Sequence, residues 1–239
     1  KIAIKKQTKT ESKKTIAIAK SRGIGNIHRN LDIKNQSIEV RKVKKKKLFV
    51  GAAIGTNNED LKRAKFLIDN GVDLIVIDTA HGHSKKVLQI LSKVRKKSKI
   101  PICVGNIATA EAAKRLHNAG ADIIKVGIGP GSICTTRMVA GIGVPQITAI
   151  MEVYKALKGK KTKIISDGGI KFSGDIAKAL AAGADAIMMG SIFAGTDESP
   201  GKKFKIKNKY FKKYRGMGSI GAMSAGSSNR YFQKNYKDK

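Results

Sequence analysis

From Leu48 onward the chain repeats one pattern: a short apolar run, a glycine or polar turn, then a stretch in which apolar residues recur every three or four positions. The apolar runs are LFVGAAI (48–54), LIVID (74–78), ICVGNI (102–107), IIKVGI (123–128), KIISDGG (163–169) and AIMMG (186–190). Such short, near-continuous apolar runs predict strands buried on both faces, as in a parallel sheet. The stretches between them, among them NEDLKRAKFLIDNG and TAEAAKRLHNAGAD, carry helical spacing and stop at Gly71, Gly120 and Gly183, a usual helix terminator. The phrase NAGAD (118–122) returns as AAGAD (181–185), with DNGVD (69–73) a looser copy.

Two more strands are expected upstream. GIGNIH (23–28) follows the helix-like ESKKTIAIAKS, and KIAIK (1–5) reads as a degraded first strand. Eight β/α units in succession predict a TIM barrel, although a doubly wound sheet shows the same alternation, and strand order is not written in the sequence. The unusual residues favour the barrel. Asp78, Asn106, Gly127–Gly131, Asp167–Gly169 and Gly190–Ser191 all follow strand ends, the rim where such barrels carry their chemistry. Residues 1–199 are expected to form the barrel, and 200–239 an appendage of the same domain. Within the appendage, KFKI and KYFKK predict a hairpin turning at Lys207–Asn208, followed by an irregular, basic, glycine-rich loop.

Charge changes this picture in one respect. The 239 residues hold 49 Lys+Arg against 17 Asp+Glu, a formal +32, which attracts polyanions without reading them. The basic residues are scattered lysines for the most part, and aromatic residues for base stacking are only 5% with no Trp. An anionic small substrate is therefore expected, with nucleic acid bound at most nonspecifically. No apolar run approaches the roughly 18 residues of a membrane span. Two cysteines give no disulfide framework, so a reducing cytoplasm is the expected compartment.

One cysteine sits in the loop VGIGPGSICTTR (126–137). Gly127, Gly129 and Gly131 let backbone approach a ligand closely, aiming carbonyls at a monovalent cation or amides at an anion. Cys134, followed by Thr135 and Thr136 and close in sequence to the cationic Arg137, reads as a nucleophile. Cys103, inside an apolar strand, reads as inert packing. Asp167 in SDGGI suits a grip on vicinal sugar hydroxyls, and the amides of Gly190 and Ser191 suit a phosphate. His81 and His83 lack further ligands nearby in sequence and are not read as a metal site; His28 is expected as a hydrogen-bonding residue at the rim. Lys44–Lys47 reads as a solvated linker.

GPGSICTTR, DGGIKFSGDIAKALAAGADAIMMGS, AGTDESPG and YRGMGSIGAM together resemble the inosine-5′-monophosphate dehydrogenase family, and the likeness runs from TES (10–12) to RYFQ (230–233). The related guanosine-monophosphate reductases share the barrel and the cysteine loop. Ile133, DGGIKFSGD and Asn229–Arg230–Tyr231 favour the dehydrogenase. The resemblance implies that Cys134 attacks C2 of the purine of inosine monophosphate and that hydride leaves to NAD. The covalent thioimidate is then hydrolysed to xanthosine monophosphate, a step of guanine nucleotide synthesis. Thr136, Arg230 and Tyr231 would complete the catalytic set, the last two as a flap pair that activates water. Ser132, Asp167, Gly168, Gly169, Gly190, Ser191 and Tyr214, Arg215, Gly216, Met217 and Gly218 would hold the substrate. Asp78, Gly127, Ile128 and Gly129 would meet NAD, and the carbonyls of Gly129, Gly131 and Cys134 would meet potassium. A homotetramer is also implied.

The sequence departs from the family at three places. VRKVKKKK passes straight to LFVGAAIG, where relatives insert a pair of cystathionine-β-synthase-type domains. IKKQTKTES, with Ile4, Lys6 and Gln7, stands where the family has Ser-x-Met-Asp-Thr-Val-Thr-Glu-Ser. The flap is expected to be truncated after RYFQ. A catalytically impaired nucleotide-binding paralogue is thus the alternative to an active dehydrogenase.

Overall fold

The computed structural model describes residues 3–4 and 11–212. Strands and helices alternate: β1 (Ala3–Ile4), α1 (Ser12–Lys20), β2 (Ile24–Ile27), α2 (Ile33–Lys44), β3 (Val50–Ile54), α3 (Asn58–Asp69), β4 (Leu74–Asp78) and α4 (Lys85–Lys97). There follow β5 (Ile102–Ile107), α5 (Ala110–Asn118), β6 (Ile123–Val126), α6 (Thr136–Ala140), α7 (Gln146–Leu157), β7 (Lys163–Asp167), α8 (Ser173–Ala181) and β8 (Ala186–Met188). The eight strands pair in parallel, each with the next, and the sheet closes on itself. Closure rests on β1, where Ala3 is in register with Ile24 of β2 on one side and Met188 of β8 on the other. A doubly wound sheet would leave two open edges, so the fold is the TIM barrel.

Side-chain alternation along each strand divides the core in two. Leu74, Val76, Cys103, Ile165 and Met188 point into the barrel and pack on one another. Their neighbours Ile75, Ile77, Ile102, Val104, Ile124 and Ile187 point outward under the helices. Full burial of each such aliphatic side chain contributes about 1.5–3 kcal/mol. Cys103 is fully buried in the lumen cluster, as expected for a packing residue.

Helices α3, α5 and α8 end next to Gly71, Gly120 and Gly183, all at positive φ. Two strands stop earlier than their apolar runs suggest, β6 at Val126 and β7 at Asp167, because Gly127, Gly168 and Gly169 turn the chain away with positive φ. Of the lysine run, Lys45–Lys47 are exposed, but Lys44 belongs to α2 and its ammonium lies 2.7 Å from Asp73. The hairpin is present: β9 (Lys203–Ile206) and β10 (Lys209–Lys212) pair antiparallel about Lys207 and Asn208, both left-handed. Among the described residues no helix is long and apolar enough to cross a membrane.

Candidate active site

The barrel interior changes character at the carboxyl ends of β4 to β7. The next inward positions above the apolar lumen are Asp78, Gly105, Lys125 and Asp167, which follow one another around the barrel. Asp78 is in register with Gly105, and Gly105 with Lys125. Lys125 is fully buried, and its ammonium donates to Asp78 Oδ1 at 3.0 Å, to Asp167 Oδ2 at 2.8 Å and to Asn106 Oδ1. An ammonium has three donors, so this set of acceptors uses all of them. The Asn106 amide donates in turn to Asp167 Oδ2 and to the Gly127 carbonyl, both at 2.8 Å. Burying so much charge is tolerable only because it is paired and hydrogen-bonded.

Two glycines make room for this network. A Cβ on Gly105 would stand 2.6 Å from Lys125 Cβ, so only glycine lets the lysine stem lie against β5. Gly127, at φ 148°, would place a Cβ 2.1 Å from the Asp167 carbonyl oxygen. Beyond the strands, Gln146 at the start of α7 donates to the Val126 carbonyl at 2.9 Å and to Ser166 Oγ at 3.1 Å, fixing the roots of β6 and β7.

The cysteine loop rises from this platform. The Cys134 amide donates to the Gly131 carbonyl at 2.9 Å, closing a turn over Ser132 and Ile133. The half-buried thiol of Cys134 donates to Thr136 Oγ1 at 3.2 Å. Arg137 does not play the part its position in the sequence suggests. Its guanidinium donates to the carbonyls of Ile128 and Val144, so it staples the two ends of the loop together rather than serving the thiol. On the opposite side the DGGI turn is held by Asp175, whose carboxylate accepts from the amides of Lys171 and Phe172 at 3.0 Å. Those amide hydrogen bonds keep its carboxyl below the usual aspartate range.

Two hollows meet at Asp167. The larger, about 610 Å³, runs under the cysteine loop and is lined by Cys134, Thr136, Asn106, Gly127–Gly131 and the turn bearing His81 and His83. This volume is ample for a flat heterocycle with a second ring beside it. The smaller, about 60 Å³, is lined by Ser132, Gly168, Gly169, Gly190 and Ser191. Asp167, Gly168 and Gly131 line both.

The expected residues therefore come together from β4 to β8, with one qualification: the wall next to Asp78 is made by Ala80, His81 and His83, while its own carboxylate is engaged by Lys125. His83 faces Arg115, with 3.3 Å between Nε2 and Nη1. Tyr214–Gly218, Arg230 and Tyr231, with Lys6 and Gln7, lie outside the described residues. Lys125 and Gln146 join the expected residues here; a lone lysine in the apolar run IIKVGI is the one sign of Lys125 in the sequence, and Gln146 leaves none.

Fold and site together define a TIM barrel whose mouth carries a cysteine on a glycine-rich loop over a charged, two-chambered cavity. The IMP dehydrogenase / GMP reductase domain matches residues 2–239, so the chain belongs to that family. It is 46% identical over 270 residues to inosine-5′-monophosphate dehydrogenase of Cryptosporidium parvum, covering 95% of this chain and 67% of that protein. It is 56% identical over 192 residues to the Bacillus subtilis enzyme of the same name, covering 80% of this chain and 39% of that one. The Rhizobium tropici enzyme of that name is 56% identical over 193 residues, with 80% and 39% covered. The chain thus spans about two thirds of the length of the first relative and two fifths of the other two.

Proposed function

We propose that the protein oxidises inosine 5′-monophosphate to xanthosine 5′-monophosphate with NAD, through a covalent bond between Cys134 and C2 of the purine. The observation that carries this reading is the junction at Asp167. A small chamber rich in backbone amides, a carboxylate and a large chamber with a cysteine succeed one another as phosphate, ribose and base do in a mononucleotide. The names of the curated relatives, and Ile133 before the cysteine, favour the dehydrogenase over a reductase acting on guanosine monophosphate.

In this reading the amides of Gly169, Gly190 and Ser191 and the Ser132 hydroxyl hold the phosphate, and the Asp167 carboxylate accepts from the ribose hydroxyls. The Cys134 thiolate attacks C2, and Thr136, already in contact with the sulfur, takes part in the proton traffic of the second half-reaction. NAD, when bound, accepts the hydride released from C2. The space beside Cys134, with Asn106, Gly127, Ile128 and the His81 turn as walls, fits a nicotinamide and its ribose. Arg230 and Tyr231 would activate the water that releases the product. The neutral carbonyls of Gly129, Gly131 and Cys134 are the donor type potassium takes, although the Gly131 carbonyl also accepts the Cys134 amide. Bound there, the ion would order the cysteine loop. A homotetramer in the cytoplasm completes the reading, by likeness to the family.

Titration calorimetry with inosine monophosphate tests the site without requiring turnover. The wild-type chain should bind the nucleotide, and Asp167→Ala should weaken binding at least tenfold. No heat from the wild-type chain would refute the reading.

A further inference from the structure

Lys125 stands where two halves of the site meet, and nothing in the chemistry above uses it. It is fully buried in the barrel mouth, and its three donors go to one atom each of Asp78, Asn106 and Asp167. On the functional reading just given, Asp167 grips the substrate ribose, while Asp78, its neighbour across Lys125, lines neither chamber. Two carboxylates and one ammonium leave a formal charge of −1, and both carboxylates accept from that one cation. We propose that Lys125 is a positioning residue through which Asp78 acts on the mononucleotide site: moving or neutralising Asp78 alters how Lys125 holds Asp167, and so alters binding of the mononucleotide.

The geometry supports coupling in three ways. Asp167 receives Lys125 and Asn106 on the same oxygen, Oδ2, each at 2.8 Å, so the orientation of its carboxylate is fixed by the lysine and by the amide that the lysine also holds. Lys125 has no slack: Gly105 brings its stem against β5, where any Cβ would collide with it. Asp78 is not part of the wall of either chamber that Asp167 lines, so a direct contact with the mononucleotide is not what links it to that ligand.

The test is calorimetry with inosine monophosphate and no NAD, on wild type, Asp78→Asn and Lys125→Gln. Asp78 lines neither chamber, so it has no direct contact through which to change this affinity. Coupling predicts that Asp78→Asn shifts the dissociation constant at least threefold and Lys125→Gln raises it at least tenfold. In steady state, Lys125→Gln should raise KM for inosine monophosphate while kcat falls less than threefold, a split that a general loosening of the fold would not give. If Lys125→Gln fails to fold, the near-isosteric Asp78→Asn decides the matter alone. Wild-type affinity in a folded Asp78→Asn protein overturns the proposal while leaving the functional reading intact. No binding by the wild type overturns both.

Discussion

The thiol of Cys134 lies 3.2 Å from the hydroxyl of Thr136, two residues along and at the first turn of α6. The same loop is closed by the Cys134 amide on the Gly131 carbonyl. The sulfur therefore has a neighbour that can accept a hydrogen bond from the thiol or donate one to the thiolate. On the proposed chemistry, attack on the purine and release of the product are separate steps, and Thr136 is assigned to the second.

Replacing Thr136 by Val keeps the shape and removes the hydroxyl. The first turnover of NADH should survive within about fivefold, and steady-state turnover should fall by about 10²-fold, within the usual range for a positioned acid or base. Stopped-flow absorbance resolves the two phases. Equal loss in both would place Thr136 in the first half-reaction.

Arg137 ties Ile128 to Val144 across the base of the cysteine loop. Arg137→Met should leave the barrel's melting temperature within a few degrees, because the residue is exposed. The loop should become more mobile and KM for inosine monophosphate should rise about tenfold. Had Arg137 activated the thiol instead, Arg137→Met would slow alkylation of Cys134 by iodoacetamide, and this rate is expected to stay within twofold.

Behind the turn that carries Ser191, Lys14 of α1 is buried with its ammonium 3.4 Å from the Phe193 carbonyl. Burial, reinforced by the charge of Lys212, brings its pKa from 10.5 down to about 8. Between those values the unfolded chain binds more protons than the folded one, so stability rises with pH across that window. Below about pH 8 the whole penalty is present. Lys14→Met should thus stabilise the protein by about 2 kcal/mol at pH 7, with the gain shrinking toward pH 10.5. Urea denaturation at pH 7 and pH 10 checks this, and a gain that does not shrink would rule out desolvated charge as the cause.

Much of the architecture was legible because TIM-barrel strands are buried on both faces and announce themselves as apolar runs, and because helix stops here are glycines. Cys134 was legible because a cysteine among glycines at a strand end is out of place as packing. Closure was not, since it depends on Ala3 of the two-residue β1 pairing with Met188, across nearly the whole chain. Lys125 was hidden by the same apolar run that revealed β6, as periodicity gives its inward direction but not the carboxylates it meets. Arg137 misled because nearness in sequence to the cysteine says nothing about where a long side chain ends. In the barrel, loop carbonyls left without strand partners compete for it and win.

The central claim is that Cys134 turns over inosine monophosphate with NAD. Protein, nucleotide, NAD and potassium are mixed, NADH absorbance is followed at 340 nm as the standard optical signal of hydride transfer, and intact mass is read on the quenched sample. NADH should form in the wild-type chain with a mass increase of one nucleotide on the protein, and Cys134→Ala should lose both by at least 10³-fold while still binding the nucleotide. NADH formed at the wild-type rate by Cys134→Ala, or none formed by a wild-type chain that binds both nucleotides, would contradict the account.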